Sequence, residues 1–255
     1  MIGIVGGVGP YTGLDLFRKV LDNTLAVRDQ EHLDVVLLSM PSAIMDRTEY
    51  LLGRSGINPA FAITEVLIKL EAAGAGVAGI PCNTVHAPEI FSLILERIRR
   101  RNSRIKVLHL ISETVSHIGT SHPDLTRVGV LSTTGTYRSG IYKNALEKGG
   151  YRVILPPAEM QERLIHPAVY DPEYGIKTRS NPVHPRAREN LLSGIRYLKD
   201  QGAEAVIMGC TEIPLALSGE QTGQTVLFDP AHILARALIR TVDPGKLKPE
   251  ESDDV

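Results

Sequence analysis

Short apolar runs alternate along this chain with longer stretches in which apolar residues recur every three or four positions. Ile2-Gly3-Ile4-Val5 is the first run, and 35–38, 77–80, 106–110, 127–131, 152–155, 205–208 and 225–228 are the others. Runs of this length, apolar on both faces and rich in β-branched residues, predict buried strands. Helical spacing gathers Leu14, Phe17, Val20, Leu21 and Leu25 after the first run, with Thr12 as the cap. The same spacing joins Phe61, Val66, Leu67 and Leu70 in 60–73, and Ile90, Phe91, Ile94, Leu95 and Ile98 in 88–101. Further helices are predicted over 112–118, from the 132–136 turn through Lys148, over 186–201, and over 231–241 behind Asp229-Pro230. Residues 160–167 read as helical or irregular. This alternation predicts an α/β fold with parallel sheets covered by helices on both faces.

The polar stretches divide the pattern. Segment 42–58 contains Asp46-Arg47-Thr48-Glu49 and is long for a connection, which predicts a functional loop. Segment 171–185, with Gly175-Ile176-Lys177, reads as another loop. After 119–124 the order of elements begins again. Each half has a turn after its first strand (Gly6-Gly7-Val8-Gly9-Pro10; Ser132-Thr133-Thr134-Gly135-Thr136) and a cysteine after a later one. The expectation is two pseudo-symmetric three-layer α/β domains, 1–118 and 119–228, with the active site in the cleft between them. A helix over 229–245 returns to the first domain, and 246–255 is a frayed tail.

Composition narrows the function. The 255 residues carry a formal net charge of −1 and no long basic block, which argues against nucleic acid or anionic membrane as a partner. The basic run 97–104 reads as a solvated helix end. No apolar run approaches the roughly 20 residues of a membrane-spanning helix. The first residues read as a strand without a charged leader, so a cytoplasmic protein with reduced thiols is expected.

The candidate chemistry lies in the only two cysteines. Ile80-Pro81-Cys82-Asn83-Thr84 and Met208-Gly209-Cys210-Thr211-Glu212 each place a thiol where an apolar run ends and a helix is due to begin, a setting that favours thiolate. Two like acid/base groups on opposite sides of a cleft suit inversion at a carbon, where one removes a proton and the other returns one. Backbone N–H groups at the two helix starts, with Asn83, Thr84 and Thr211, would stabilise the charge that develops beside the substrate carboxylate. Arg47 and Lys177, one from each half, would clamp a second carboxylate. His86 would orient its turn or tune Cys82, and Glu212 would cap a helix or bond within the site. Gly7 and Gly9 let backbone approach a small anion. The glycine turn departs from a dinucleotide fingerprint, because no acid ends the second strand and Pro10 interrupts it. Two cysteines without CxxC or HxxxH partners fall short of a metal site.

With these motifs, the sequence resembles the cofactor-independent aspartate/glutamate racemase family. The likeness runs from the glycine turn through Asp46-Arg47-Thr48, Pro81-Cys82-Asn83-Thr84-Val85-His86, Gly175-Ile176-Lys177 and Gly209-Cys210-Thr211-Glu212-Ile213-Pro214 to Phe228-Asp229-Pro230. It implies catalytic Cys82 and Cys210, no pyridoxal phosphate, no metal, and a homodimer. It also implies that Val8, Asn83, Thr84 and Val85 lie at the substrate, with Arg47 and Lys177 near its carboxylates. Val8 stands where family members often have Met, which bears on pocket shape. The substrate so implied is a small acidic amino acid, aspartate first. Glutamate, broad-specificity or hydantoin racemisation, a non-catalytic acid-binding protein, and a thiol redox switch are the alternatives.

Overall fold

In a computed structural model of the chain, which describes residues 1–217 and 225–249, the apolar runs form two four-stranded parallel sheets. The first sheet holds β1 (Ile2–Gly6), β2 (Val35–Ser39), β3 (Val77–Gly79) and β4 (Lys106–Val107), in the order β2-β1-β3-β4. The second holds β5 (Arg127–Ser132), β6 (Arg152–Ile154), β7 (Ala205–Gly209) and β8 (Val226–Phe228), in the order β6-β5-β7-β8. The two orders are identical after a shift of four strands, so the internal repeat is topological. Because β1 pairs with β3 and β5 with β7, the first turn and the cysteine of each half emerge side by side.

Twelve α-helical segments connect and cover the sheets among the described residues. They are α1 (Pro10–Asp22), α2 (Arg47–Leu51), α3 (Ala60–Ala72), α4 (Pro88–Arg100), α5 (Leu110–Ser121) and α6 (Thr134–Ser139). The chain continues through α7 (Ile141–Lys148), α8 (Ala158–Met160), α9 (His166–Tyr170), α10 (Pro185–Asp200), α11 (Ile213–Leu217) and α12 (Pro230–Val242). A π-helical stretch, Gln161–Ile165, joins α8 to α9. None is long and apolar enough to cross a membrane.

Several boundaries differ from the sequence pattern. Helix α1 starts at Pro10 rather than after Thr12, because Pro suits a first helical turn and Gly9 takes φ +131 before it. Thr12 instead donates to Gly9 O at 2.8 Å and to Pro81 O at 3.2 Å. The 106–110 run is split, since His109 Nδ1 accepts from Ser112 N and opens α5. The helix expected through Lys148 breaks at Gly140, which is left-handed at φ +64. The 42–58 loop contains α2, whose start is capped by the Asp46 carboxylate accepting from Thr48 N and Glu49 N.

One face of the first sheet packs Val5, Ala78 and Ile80 against Ile63, Leu67 and Leu70 of α3 and Ile90 and Ile94 of α4. The other face meets α1, α5 and α12, and its apolar cluster continues into Val128, Val130, Ala205 and Ile207 of the second sheet. Helix α12 lies so close to β3 that a Cβ on Gly79 would meet Leu238 Cδ1 at 2.8 Å. Its N-cap, Asp229, accepts from Ala231 N and His232 N and also pairs with buried Lys19 of α1, itself paired with Asp15. The segment after α12, expected to fray from Lys246, is held through Lys248. Leu247 bridges to Thr24, and Lys248 N donates to Asn23 O at 3.0 Å. Its backbone finds partners on the turn after α1, which a polar sequence does not reveal; residues 250–255 lie outside the described residues.

Candidate active site

Cys82 follows the extended pair Ile80-Pro81 beyond β3 and precedes a 3-10 turn, Asn83–His86. Cys210 directly follows β7. Both thiols are free and 7% exposed, and both line one cavity of about 10 Å³, room for roughly one water. Val8, Arg47, Asn83, Thr84, Lys177, Thr211 and Glu212 line the same cavity. Val85 is not among its lining; its side chain is fully buried in the core between α3, α4 and β3. A wider chamber of about 540 Å³ lies next to it, lined in part by Gly7, Gly9, Asp46 and residues 178–182. Arg47, Lys177 and Glu212 belong to both linings and so stand between the two spaces.

Around Cys210 the chemistry is acidic. Its thiol donates to Glu212 Oε2 at 3.0 Å, and Lys177 Nζ donates to Glu212 Oε1 at 2.9 Å. Burial pushes the Cys210 thiol well above its ordinary range, and the Glu212 charge pushes it further. The thiolate expected at a helix start is therefore not favoured here, because a carboxylate sits beside the sulfur and accepts its proton in a hydrogen bond. Burial also acts to raise Glu212, but Lys177 and the hydrogen bonds from Cys210 and Lys177 outweigh it and hold the carboxyl below its ordinary value. For Lys177, burial is outweighed chiefly by Glu212, and its pKa rises. Gly9 makes room for this group, since a Cβ there would meet Glu212 Oε1 at 2.7 Å. Lys177 also lies 5.1 Å from the Tyr170 ring centroid, and the Tyr170 hydroxyl donates to Asp46 Oδ2 at 2.9 Å.

Cys82 has a cationic neighbour instead. The buried Arg47 guanidinium lies beside its sulfur; burial lowers the Arg47 pKa, and Cys82 and Asp46 more than restore it. Its terminal nitrogens do not form the free fork expected from the sequence. One donates to Val8 O at 3.0 Å and the other to Met45 O at 3.4 Å, because the guanidinium closes the gap between two loops whose carbonyls need donors. His86 stands behind the turn, its Nδ1 donating to Cys82 O at 2.9 Å and its ring against Phe91 and His109. Burial and His109 bring its pKa down to about 3, so the ring is neutral.

The two cysteine segments are tied directly to each other. Thr211 Oγ1 donates to Pro81 O at 2.9 Å, and Thr84 Oγ1 lies 2.8 Å from Thr136 Oγ1 of the second half. Three buried groups of the cavity lining lack a hydrogen-bond partner among the described residues: Arg47 Nε, Asn83 Nδ2 and Thr133 Oγ1. All three can donate, and unpaired donors around a small buried cavity suit an anion such as a carboxylate. Thr133 and Tyr170 were not singled out from the sequence. Thr133 carried a signal, being in the turn that answers the glycine turn of the first half; Tyr170 carried none. Among the described residues no three His, Cys, Asp or Glu side chains gather as a metal site requires.

A model of the Asp/Glu/Hydantoin racemases matches residues 5–238. The solved structure of an aspartate racemase from Picrophilus torridus superposes with a TM-score of 0.77 at 30% identity, covering 97% of this chain and 95% of that one. A broad specificity amino-acid racemase of Bacillus subtilis (strain 168) is 27% identical over 250 residues, 94% of this chain and 97% of its own length. A glutamate racemase of Francisella tularensis, solved with D-glutamate, shares the fold at a TM-score of 0.60 and 19% identity, over 99% of this chain and 84% of that one.

Proposed function

The chain belongs to the Asp/Glu/hydantoin racemase family, and from that premise we propose that it interconverts L- and D-aspartate with Cys82 and Cys210 as the two acid/base groups. The observation that carries this reading is the pair of buried free thiols on one cavity, with a cation beside Cys82 and an anion beside Cys210. In the described state Cys210 holds its proton. With Cys82 as thiolate, the sulfur takes the α-proton from one face of the substrate, and the Cys210 thiol delivers its proton to the other. The product leaves Cys82 protonated and Cys210 as thiolate. The reverse reaction exchanges the roles; before a second forward turnover Cys82 gives a proton to water and Cys210 takes one from water, which restores the starting state. Charge that builds on the substrate carboxylate meets Asn83 Nδ2, Thr133 Oγ1 and Arg47 Nε. The Arg47 and Lys177 cations at the boundary of the inner cavity favour a second carboxylate, and the likeness to an aspartate racemase supports the same choice.

A broad-specificity racemase is the second reading. Glu212 already neutralises Lys177, and backbone carbonyls already hold both ends of the Arg47 fork, so the site does not require an acidic side chain. Incubation in D₂O with L-aspartate, L-glutamate or L-alanine, without added cofactor, tests both. Loss of the α-proton NMR signal together with optical rotation, abolished by either Cys82→Ala or Cys210→Ala, is the expected result, and the preferred amino acid decides between the readings. Exchange without loss of rotation would refute the two-thiol reaction. Thermal stabilisation by aspartate without exchange would mark a binding protein instead.

A further inference from the structure

Tyr142 lies in α7 of the second half, is 2% exposed, and does not line the thiol cavity. It nevertheless touches both cysteine segments. Its ring packs over Gly209, where an added Cβ would meet Tyr142 Cε2 at 3.1 Å and Leu131 O at 2.9 Å; Gly209 is the residue before Cys210. Its hydroxyl lies 2.5 Å from Asn83 Oδ1; Asn83 is the residue after Cys82. The Asn83 amide therefore has one end occupied by the phenol, while its other end, Nδ2, is buried and unpartnered among the described residues. Asn83 itself lines the cavity.

We propose that Tyr142 is a positioning residue for the racemisation: its hydroxyl, donating to Asn83 Oδ1, turns the Asn83 amide nitrogen toward the thiol cavity as a donor to the substrate carboxylate. A carboxamide free to rotate would present oxygen or nitrogen to the cavity, and oxygen facing a carboxylate repels it. With the phenol donating to Oδ1, the nitrogen is the end left to face the cavity. Burial pushes the Tyr142 phenol well above its ordinary range, so it keeps its proton and remains a donor at neutral pH. The ring contact with Gly209 fixes where that donor stands relative to Cys210. One buried side chain of the second half thereby sets the orientation of a substrate donor beside the cysteine of the first.

This inference rests on the racemase reading, and a double-mutant cycle separates the two. Tyr142→Phe keeps the ring over Gly209 and removes only the hydroxyl. We expect kcat/KM for the preferred amino acid to fall about tenfold, the scale of one hydrogen bond to a charged group. In an Asn83→Ala background the same substitution changes kcat/KM by less than about twofold, because the group that Tyr142 orients is gone. An equal tenfold loss in both backgrounds would mean that Tyr142 acts on packing rather than through Asn83, and would overturn the proposal. An unchanged kcat/KM in Tyr142→Phe would do the same. If the unsubstituted protein racemises none of the three amino acids tested, the racemase reading fails, and the positioning role is then read from thermal stabilisation by L-aspartate or malonate. Tyr142→Phe should weaken that stabilisation as much as Asn83→Ala does; full stabilisation of Tyr142→Phe, or none of the unsubstituted protein, would overturn the role.

Discussion

Glu212→Gln keeps the shape of the side chain and removes the negative charge between Cys210 and Lys177. At 2.9 Å and an effective dielectric constant near 20, the attraction between Lys177 and Glu212 is about 6 kcal/mol before hydration is counted. The Lys177 side chain keeps 24% of its surface and Glu212 only 6%. Exposed pairs contribute less than about 1 kcal/mol, and breaking fully buried ones costs about 3–5. This pair falls between, so the substitution should cost about 2 kcal/mol, a melting temperature lower by roughly 6 °C. The sign of the pH effect follows from the depressed Glu212 pKa. Its stabilisation is complete above the ordinary value of 4.5 and is lost as pH falls through the lower folded value, so the variant should lack that part of the acid limb. The thiol responds in the opposite sense. With the charge that helps raise it gone, Cys210 should form thiolate at lower pH, read by ultraviolet thiolate absorbance in a Cys82→Ala background. Calorimetry across pH supplies the stability. A variant that melts with the parent and keeps its acid limb, or whose Cys210 titration does not move, would refute the reasoning.

Other substitutions test the remaining contacts. Cys82→Ala and Cys210→Ala should each lower racemisation by about 10²–10⁴-fold while leaving the circular dichroism spectrum unchanged. Gly9→Ala combines φ +131 with a Cβ 2.7 Å from Glu212 Oε1, so it should cost about 1–3 kcal/mol in denaturant unfolding and reduce activity with it. Asp229→Ala removes both the cap of α12 and the partner of buried Lys19, and should destabilise by about 2–4 kcal/mol in the same assay. For His86, whose pKa is lowered to about 3, stability is complete above about 6.5 and falls between there and 3; His86→Asn should flatten the melting temperature over that interval.

The sequence carried the architecture because each buried strand is a continuous apolar run and each long helix an apolar stripe, both local signals. It also carried the two thiols, since the frames around Cys82 and Cys210 repeat each other. What it concealed depends on contacts between distant residues. Tyr170 meets Asp46 across 124 positions and Tyr142 meets Asn83 across 59, and nothing near either tyrosine in sequence marks it. The thiolate expected at Cys210 failed for a local reason. A helix-start dipole falls off within a turn, and a carboxylate at 3.0 Å dominates it. Arg47 read as a free fork because the carbonyls of Val8 and Met45 that hold it are visible only after folding.

Helix α12 has a consequence for synthesis on the ribosome. It follows both sheets in the chain, yet Leu234 and Leu238 complete the apolar cluster around Ile2, Ile4 and Leu16 of the first. While the second sheet is being translated, the first therefore waits with one face covered by α1 and α5 but not yet by α12. A nascent chain in that state presents a sticky surface to chaperones and to its neighbours on the same polysome. Emergence of α12, rather than completion of the first sheet, is the event that completes this cluster.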